Sequence, residues 1–198
     1  AWPVMLSRAG ILVMAFCDIA MLGRYGAGAI GELTLGVSIF VPLLVIAIGF
    51  CSGMVPVVAR AFGAGAWIEC GRAWRRALSW AVLTSGIATL ICWQGEALLA
   101  LFGQEPAFAA RGGAVARALA PGLVAQAVFT ASAFYLEATR RTMPALVAMI
   151  FANLGNFGLN WLLIWGHWGL PELGAVGAAL ASTLVRVAAA VGLVLYIV

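Results

Sequence analysis

The sequence places a carboxylate well inside an apolar stretch near its start. Asp18 lies about 15 residues into this stretch and a few residues before Arg24, where the stretch ends. If the stretch crosses a membrane, a carboxylate at that depth costs at least about 2.5 kcal/mol, so it must face a wet cavity or a partner. Two interpretations stay open: a proton or sodium site inside a helix bundle, or a helix-end aspartate paired with Arg24 at the interface.

Three asparagines recur at helical spacing much later in the chain. Asn156 and Asn160 follow Asn153 by 3 and 7 residues, which puts all three on one face of a helix. Amide oxygens are good ligands for a hard cation and good partners for a protonated carboxyl group. The same amides could instead bond neighbouring helices. Because Asp18 lies in the same small bundle, we expect a shared cation or proton site.

Four further polar residues occur in or near apolar stretches. Ser182 and Thr183 could add a hydroxyl to the site, or could bond their own backbone as such residues often do. Arg117 and Arg186 could extend their charge to the membrane interface or could neutralise a cavity. Both interpretations of the arginines stay open.

The remaining polar residues do not suggest enzyme chemistry. Glu137 stands beside Arg140 and Arg141, which indicates an interfacial ion pair, and His167 between tryptophans is expected at the surface. The sequence shows no nucleophile-elbow, metalloprotease, phosphate-loop or dinucleotide-binding motif. We therefore expect no enzymatic activity, and any transport must draw its energy from an ion gradient.

The composition indicates that membrane helices carry these residues. Of 198 residues, 65% are hydrophobic and 9% are charged. A soluble domain carries roughly 25% charged residues, so the class of soluble globular proteins is excluded. The net charge of +4 comes from scattered arginines, without lysine and without a nucleic-acid-binding motif. We expect an integral membrane protein in contact with the lipid bilayer and no nucleic-acid partner.

Six apolar stretches are long enough to cross a bilayer, which takes about 20 residues per helix. Prolines inside them are tolerated, because neighbouring helices can satisfy the freed backbone groups. The predicted fold class is an all-α membrane protein, in which residues 1–198 form a single six-helix transmembrane lobe. The predicted helices cover approximately residues 3–23, 33–61, 77–100, 112–137, 143–166 and 173–198.

The connectors between these spans alternate in charge. Six arginines fall in the second-to-third and fourth-to-fifth connectors, namely Arg60, Arg72, Arg75, Arg76, Arg140 and Arg141. The other connectors hold Arg24 and Arg111 among four glutamates. The positive-inside rule therefore predicts cytoplasmic termini, and we expect the plasma membrane, the inner membrane in bacteria. Residues 1–3 lack the basic start of a signal peptide, so we expect a chain already at the membrane with a short terminus trimmed away.

Four parts of the chain share their motifs, order and spacing with one transporter family. They are DIAMLG at 18–23; VPL at 41–43 with PVVA at 56–59 and GAG at 63–65; NFGLN at 156–160 with LIWG at 163–166; and GLPELGAVG at 169–177. In these stretches the chain resembles the multidrug and toxic compound extrusion (MATE) transporters, and their NorM-like branch in particular. Arg60 departs from the family pattern, in which glutamine is usual.

The resemblance implies twelve helices in two six-helix lobes, of which this chain matches the N-terminal lobe. It implies an antiporter that exports small organic cations and drugs in exchange for H⁺ or Na⁺, with no cofactor besides that coupling ion. By the same resemblance, the ion site, including any Na⁺, falls on Asp18, Asn156 and Asn160. The family's sixth-helix threonine aligns with Ser182, with Thr183 adjacent, and the substrate-binding residues stay unknown. The implied partner is a second six-helix lobe, either a C-terminal half or a second copy in a homodimer.

Two alternative functions stay open beside drug export. One is a flippase for lipid-linked precursors from the same superfamily, which would line its cavity with several cationic residues to hold a pyrophosphate. Only Arg117 and Arg186 are candidates for that task. The other is a membrane subunit that has no transport pathway of its own.

Overall fold

The computed structural model describes residues 2–198, and all regular structure in this range is helical. In chain order the helices are α1 (Trp2–Tyr25), α2 (Ala27–Ser52), α3 (Met54–Gly63), α4 (Trp67–Trp93), α5 (Gly95–Leu101), α6 (Pro106–Ala138), α7 (Met143–Trp165) and α8 (Gly174–Ile197). A short 3-10 turn, His167–Gly169, connects α7 to α8. Ala1, at the expected trimmed terminus, lies outside the described residues.

Six helical segments are long and apolar enough to cross a membrane, which confirms the predicted all-α bundle of six spans. The second of them, Ala27–Gly63, consists of α2 and α3 together and starts six residues before the predicted 33. The interruption between the two helices lies at Gly53. Pro56 follows shortly afterwards, and proline has no amide hydrogen for the carbonyl four residues earlier, that of Ser52. The break therefore has a local cause in the sequence.

The third span departs most from its predicted range, residues 77–100. Its helix α4 begins at Trp67 and ends at Trp93, and the short helix α5 follows as a separate element. Three arginines lie in the first turns of α4. A prediction based on apolar runs therefore placed the start of this helix too late. Similarly, α6 begins at Pro106, six residues before the predicted 112, with proline in a position that tolerates the missing amide hydrogen. The helices extend past the apolar segments that reveal them.

The central helix of the bundle is α6, which is more buried than any other span. It packs against α2, α4 and α8. The hydroxyl of Thr89 on α4 donates to the carbonyl oxygen of Ala120 at 3.0 Å. On the other side, the hydroxyl of Thr183 on α8 donates to the carbonyl oxygen of Ala118 at 2.9 Å. These two bonds fix α4 and α8 against the middle of α6.

Helices α7 and α8 form a closely packed hairpin, and α1 lies against α7. Helix α7 ends at Trp165 and is followed by Gly166, whose φ of 68° is in the left-handed region that favours glycine. On α8, a Cβ atom added to Gly177 would lie 2.5 Å from the carbonyl oxygen of Leu163 on α7. Only glycine permits this approach of the two backbones. The hairpin and α1 together enclose Asp18, Asn156, Asn160 and Ser182.

Large apolar side chains cover much of the outer surface. Leu12, Phe16 and Leu154 are among many such residues that are more than 60% exposed. Soluble proteins rarely expose continuous apolar surface on this scale. The fold is therefore that of a bundle embedded in a lipid bilayer.

Candidate cation site

The carboxylate of Asp18 is turned into the bundle. The residue lies on α1, seven positions before the helix ends at Tyr25, and only 7% of it is exposed. None of the ion pairs formed among residues 2–198 joins Asp18 to Arg24. The alternative of an interfacial pair with Arg24 is therefore not realised, and the partners of Asp18 come from other helices.

Two asparagines of α7 donate to the same oxygen of this carboxylate. Asn160 Nδ2 lies 2.7 Å and Asn156 Nδ2 lies 3.0 Å from Asp18 Oδ1. Both asparagines are fully buried, and their spacing of four residues places them on one face of α7. The two amides also bond each other, with Asn160 Nδ2 at 3.1 Å from Asn156 Oδ1. Helix α7 therefore presents two mutually oriented amide groups to α1.

Helix α8 supplies a hydroxyl to the second carboxylate oxygen. Ser182 Oγ lies 2.6 Å from Asp18 Oδ2, and it also accepts a hydrogen bond from Asn156 Nδ2 at 3.1 Å. The carboxylate thus accepts three hydrogen bonds, two from α7 and one from α8. Hydrogen bonds to an ionised acceptor are roughly twice as strong as those between neutral groups. Asp18 is therefore the point at which α1, α7 and α8 are joined.

One acceptor in this network has no donor. Asn160 Oδ1 is buried and has no hydrogen-bond partner among residues 2–198. Nearly all buried polar atoms in proteins are paired, so an unfilled acceptor close to a carboxylate is a position at which a cation or a proton-bearing group can be stabilised. The Asp18 carboxylate and the Ser182 hydroxyl, which bond each other, and this amide oxygen are all of the type that hard cations prefer.

Two of the six residues predicted for the site have their hydrogen bonds elsewhere. Asn153 donates from Nδ2 to the carbonyl oxygen of Met149 in its own helix, at 2.9 Å. The hydroxyl of Thr183 donates to the carbonyl oxygen of Ala118 on α6. The structure brings together the other four, which are Asp18, Asn156, Asn160 and Ser182.

Arg117 and Arg186, for which the sequence allows two interpretations, have different environments in the structure. Arg117 forms an exposed ion pair with Glu96, with Nη1 at 3.2 Å from Oε2. Arg186 instead lies over the ring of Phe40, with Cζ 5.0 Å from the ring centroid, and its Nη1 is buried. Arg186 is thus an interior charge, which favours the interpretation that it neutralises a cavity over the one that its charge extends to the membrane interface. Its spacing of four residues from Ser182 is the signal that could have placed it near the site.

The expected ion pair between Glu137 and Arg140 or Arg141 is wrong. Glu137 pairs with Arg8 of α1 at 3.3 Å. The physical reason is that α6 ends at Ala138, so the two later arginines have left the helix and no longer share a face with Glu137. The observed pair connects the first turns of α1 to the end of α6.

His167 is held against the end of α7. Its ring stacks on that of Trp161 with a centroid distance of 3.9 Å, and its Nδ1 lies 2.8 Å from the Trp161 carbonyl oxygen. Within residues 2–198, no three His, Cys, Asp or Glu side chains cluster in a way that could hold a metal ion.

Comparisons with known protein sequences identify the family to which this chain belongs. The MatE family model matches residues 3–162, which include the motifs around Asp18 and Asn156. The probable multidrug resistance protein NorM of Rhodopseudomonas palustris is 36% identical over 186 residues, and that of Bradyrhizobium diazoefficiens is 35% identical over 186 residues. These alignments cover 93% and 94% of this chain, but 39% and 40% of the relatives. The chain thus spans about two-fifths of the length of the curated relatives it matches.

Solved structures of MATE transporters have the same fold as this chain. The eukaryotic MATE transporter AtDTX14 superposes with a TM-score of 0.88 at 21% identity, over 98% of this chain and 43% of that one. A multidrug resistance MATE transporter in an outward-facing conformation gives a TM-score of 0.87 at 18% identity, over 98% and 42%. The matched family is one of transporters rather than of enzymes. The chain belongs to the MATE family, within its NorM-like branch, and corresponds to the N-terminal six-helix lobe of these membrane proteins.

Proposed function

We propose that this chain is the ion-coupling lobe of a secondary antiporter that exports small organic cations and drugs in exchange for H⁺ or Na⁺. The observation that carries the proposal is the buried Asp18 carboxylate and its three hydrogen bonds from two other helices. An acidic group inside a membrane bundle is costly and by default indicates an ion or proton pathway. The NorM relatives, named as probable multidrug resistance proteins, support drugs as the substrate class.

Cation binding would change which groups satisfy the carboxylate. In the ionised form, the N–H groups of Asn156 and Asn160 point at Asp18 Oδ1. A proton converts one carboxylate oxygen into a donor, and Na⁺ attracts oxygen atoms rather than N–H groups. Either cation therefore favours a different orientation of the two amides. Because the amides belong to α7 and the carboxylate to α1, the packing of α1 against α7 depends on which form is present.

This dependence is the basis of the proposed alternating access. The lobe adopts two packing arrangements, and the cation binds one of them more tightly, so its arrival shifts the population toward that arrangement. By thermodynamic reciprocity, an arrangement that weakens drug binding when the cation is bound also weakens cation binding when the drug is bound. Cation entry from outside would therefore release the drug outward.

A second lobe is part of the proposal. The curated relatives are about two and a half times as long as the segment that this chain matches, so we propose a partner of six further helices. It is either a C-terminal half or a second copy of this chain. We further propose that both termini face the cytoplasm. Six spans return the chain to the side on which it starts, and by alternation the two arginine-rich connectors fall on that same side.

The test is an efflux measurement on vesicles that contain this chain with its second lobe. Asp18→Asn removes the charge at nearly constant shape, so efflux of a fluorescent organic cation driven by an imposed H⁺ or Na⁺ gradient should be lost. Glu105→Gln, which neutralises an exposed carboxylate before α6, is the matched control and should behave as the wild type. Undiminished coupled efflux by the Asp18 variant would refute the proposal. If the wild-type vesicles showed no efflux at all, the result would favour the alternative function, a membrane subunit that has no transport pathway of its own.

The structure gives less support to the flippase alternative than the sequence does. Of its two candidate cationic residues, Arg117 is neutralised by Glu96 in an exposed pair. Arg186 alone then remains, whereas a pyrophosphate would require several cationic groups at one place. The ion site around Asp18 therefore favours coupled drug export.

A further inference from the structure

The guanidinium of Arg186 occupies the interior next to the proposed ion site. It lies on α8, over the ring of Phe40 on α2, and its Nη1 would be 3.6 Å from a Cβ atom added to Gly122 on α6. This Nη1 is buried and has no hydrogen-bond partner among residues 2–198. A buried cation without a compensating anion is strongly destabilising. The charge of Arg186 therefore has to be balanced by a group close by.

Asp18 is the acidic residue placed to balance it, although no direct ion pair joins the two side chains among residues 2–198. Ser182, whose hydroxyl bonds the Asp18 carboxylate, precedes Arg186 by four residues on the same face of α8. Long helical side chains point back toward the N-terminus of their helix, over the preceding turn. Arg186 thus leans toward Ser182, and its charge acts electrostatically on the carboxyl group.

The other elements around the carboxylate add no further charge to this balance. Helix α7 contributes the neutral amides of Asn156 and Asn160, and on α1 the neighbouring polar group is the thiol of Cys17. On α2, Glu32 is engaged by Arg111 of α6 at 3.1 Å. Within the part of the chain that the structure describes, the charges that determine ion binding are those of Asp18 and Arg186.

We propose that Arg186 makes this site selective for H⁺ over Na⁺, because the guanidinium already supplies the positive charge that Na⁺ would bring to Asp18. The inference rests on the ion-coupling function proposed above and names the ion. With Asp18 ionised, the pair has no net charge, since arginine stays protonated in proteins. A proton neutralises the carboxylate and leaves one buried charge. Na⁺ leaves three charges in the same interior, two of them positive, where repulsion is far stronger than in water.

The same pair gives the bundle a way to sense the proton. When Asp18 is neutral, Arg186 loses its counter-charge but keeps its contact with Phe40 and its place beside Gly122. The guanidinium then gains from moving toward water or toward another anion. Since it lies between α2, α6 and α8, its movement alters the packing of three helices at once. Arg186 is therefore a positioning residue that acts through Asp18.

The sequence permits a direct test, because Asp18 is its only aspartate. In lipid nanodiscs that contain this chain with its second lobe, aspartate is labelled with ¹³C at the side-chain carboxyl carbon, and the NMR signal that is missing from Asp18→Asn belongs to Asp18. This signal can be followed against pH and against replacement of choline by Na⁺. The variants are Arg186→Gln, which removes the charge, and Arg186→Lys, which keeps it. Arg111→Gln, at the exposed pair with Glu32, is the matched control. Circular dichroism checks that each variant is folded.

In the wild type, the signal should change with pH and stay constant when Na⁺ replaces choline. Arg186→Gln should gain a response to Na⁺ with an affinity at least about tenfold above that of the wild type. Arg186→Lys and Arg111→Gln should remain insensitive to Na⁺. A wild-type signal that moves with Na⁺ at constant pH, or an Arg186→Gln signal that does not, overturns the proposal and leaves the coupling function standing. A signal that responds to neither H⁺ nor Na⁺ would refute the proposed ion-coupling function itself.

Discussion

Asn160 Nδ2 lies 2.7 Å from Asp18 Oδ1, which makes it the shorter of the two amide contacts to that oxygen although 142 positions of sequence separate the residues. The same amide carries the buried carbonyl oxygen that has no donor within residues 2–198. One side chain thus both holds the ionised carboxylate and offers the free acceptor beside it. Asn160 is therefore the residue at which the proposed ion site and the contact between α1 and α7 coincide.

Replacement of Asn160 by Ala should weaken both stability and ion binding. The carboxylate loses one of three hydrogen bonds, and the expected loss is about 1–3 kcal/mol in the free energy of unfolding. Thermal unfolding in detergent measures it. Asn153→Ala is the matched control, because Asn153 donates to the backbone of its own helix and should leave the carboxylate unaffected. Equal losses for the two variants would contradict the assigned role.

Ser182 should tolerate threonine better than alanine. Ser182→Ala removes the donor to Asp18 Oδ2, which disfavours the ionised carboxylate, so the carboxyl group should hold its proton more tightly. The pH dependence of the Asp18 carboxyl signal measures this change. Ser182→Thr keeps the hydroxyl and should retain the wild-type response, since the additional methyl group requires only local repacking. If alanine and threonine changed the response equally, packing rather than the hydroxyl would explain the position.

Gly177→Ala should separate α7 from α8. Its Cβ atom would lie 2.5 Å from the carbonyl oxygen of Leu163, so one of the two helices must move. We expect a loss of about 1–3 kcal/mol, the usual range for overpacking, seen as a lower unfolding temperature. Gly192→Ala lies on the same helix with nothing within 4 Å of its Cβ position, and should be neutral or slightly stabilising. A neutral effect at Gly177 would show that the helices are not in close contact.

The proposed orientation can be tested by cysteine labelling from one side of the membrane. Arg140 and Trp168 are both exposed, and Trp168 is 88% exposed in the turn after α7. With the native cysteines replaced by serine, a membrane-impermeant maleimide added outside intact cells should label Trp168→Cys and not Arg140→Cys. Permeabilised cells should allow both to react. The opposite pattern would invert the orientation derived from the arginines.

The bundle itself could be predicted from local features. Six apolar runs predicted six membrane helices, because each helix satisfies its own backbone groups in lipid and hydropathy therefore reports the spans directly. The ends were less predictable: α4 begins at Trp67 among arginines, ten residues before the predicted start. A helix continues for as long as its backbone bonds are made, and apolar composition records only the part within the hydrocarbon.

The sequence by itself determined that Asp18 is a costly residue in an apolar helix and that the asparagines share one helical face, since both facts depend only on residue type and periodicity. Only the tertiary structure decided that Asn156, Asn160 and Ser182 reach the carboxylate while Asn153 and Thr183 bond elsewhere. The position of the Arg186 guanidinium, buried over Phe40, was likewise decided only there. The physical reason is that hydrogen bonds act over about 3 Å. Which side chains come within that distance depends on how α1, α7 and α8 pack, and spacing along one helix does not encode the position of another.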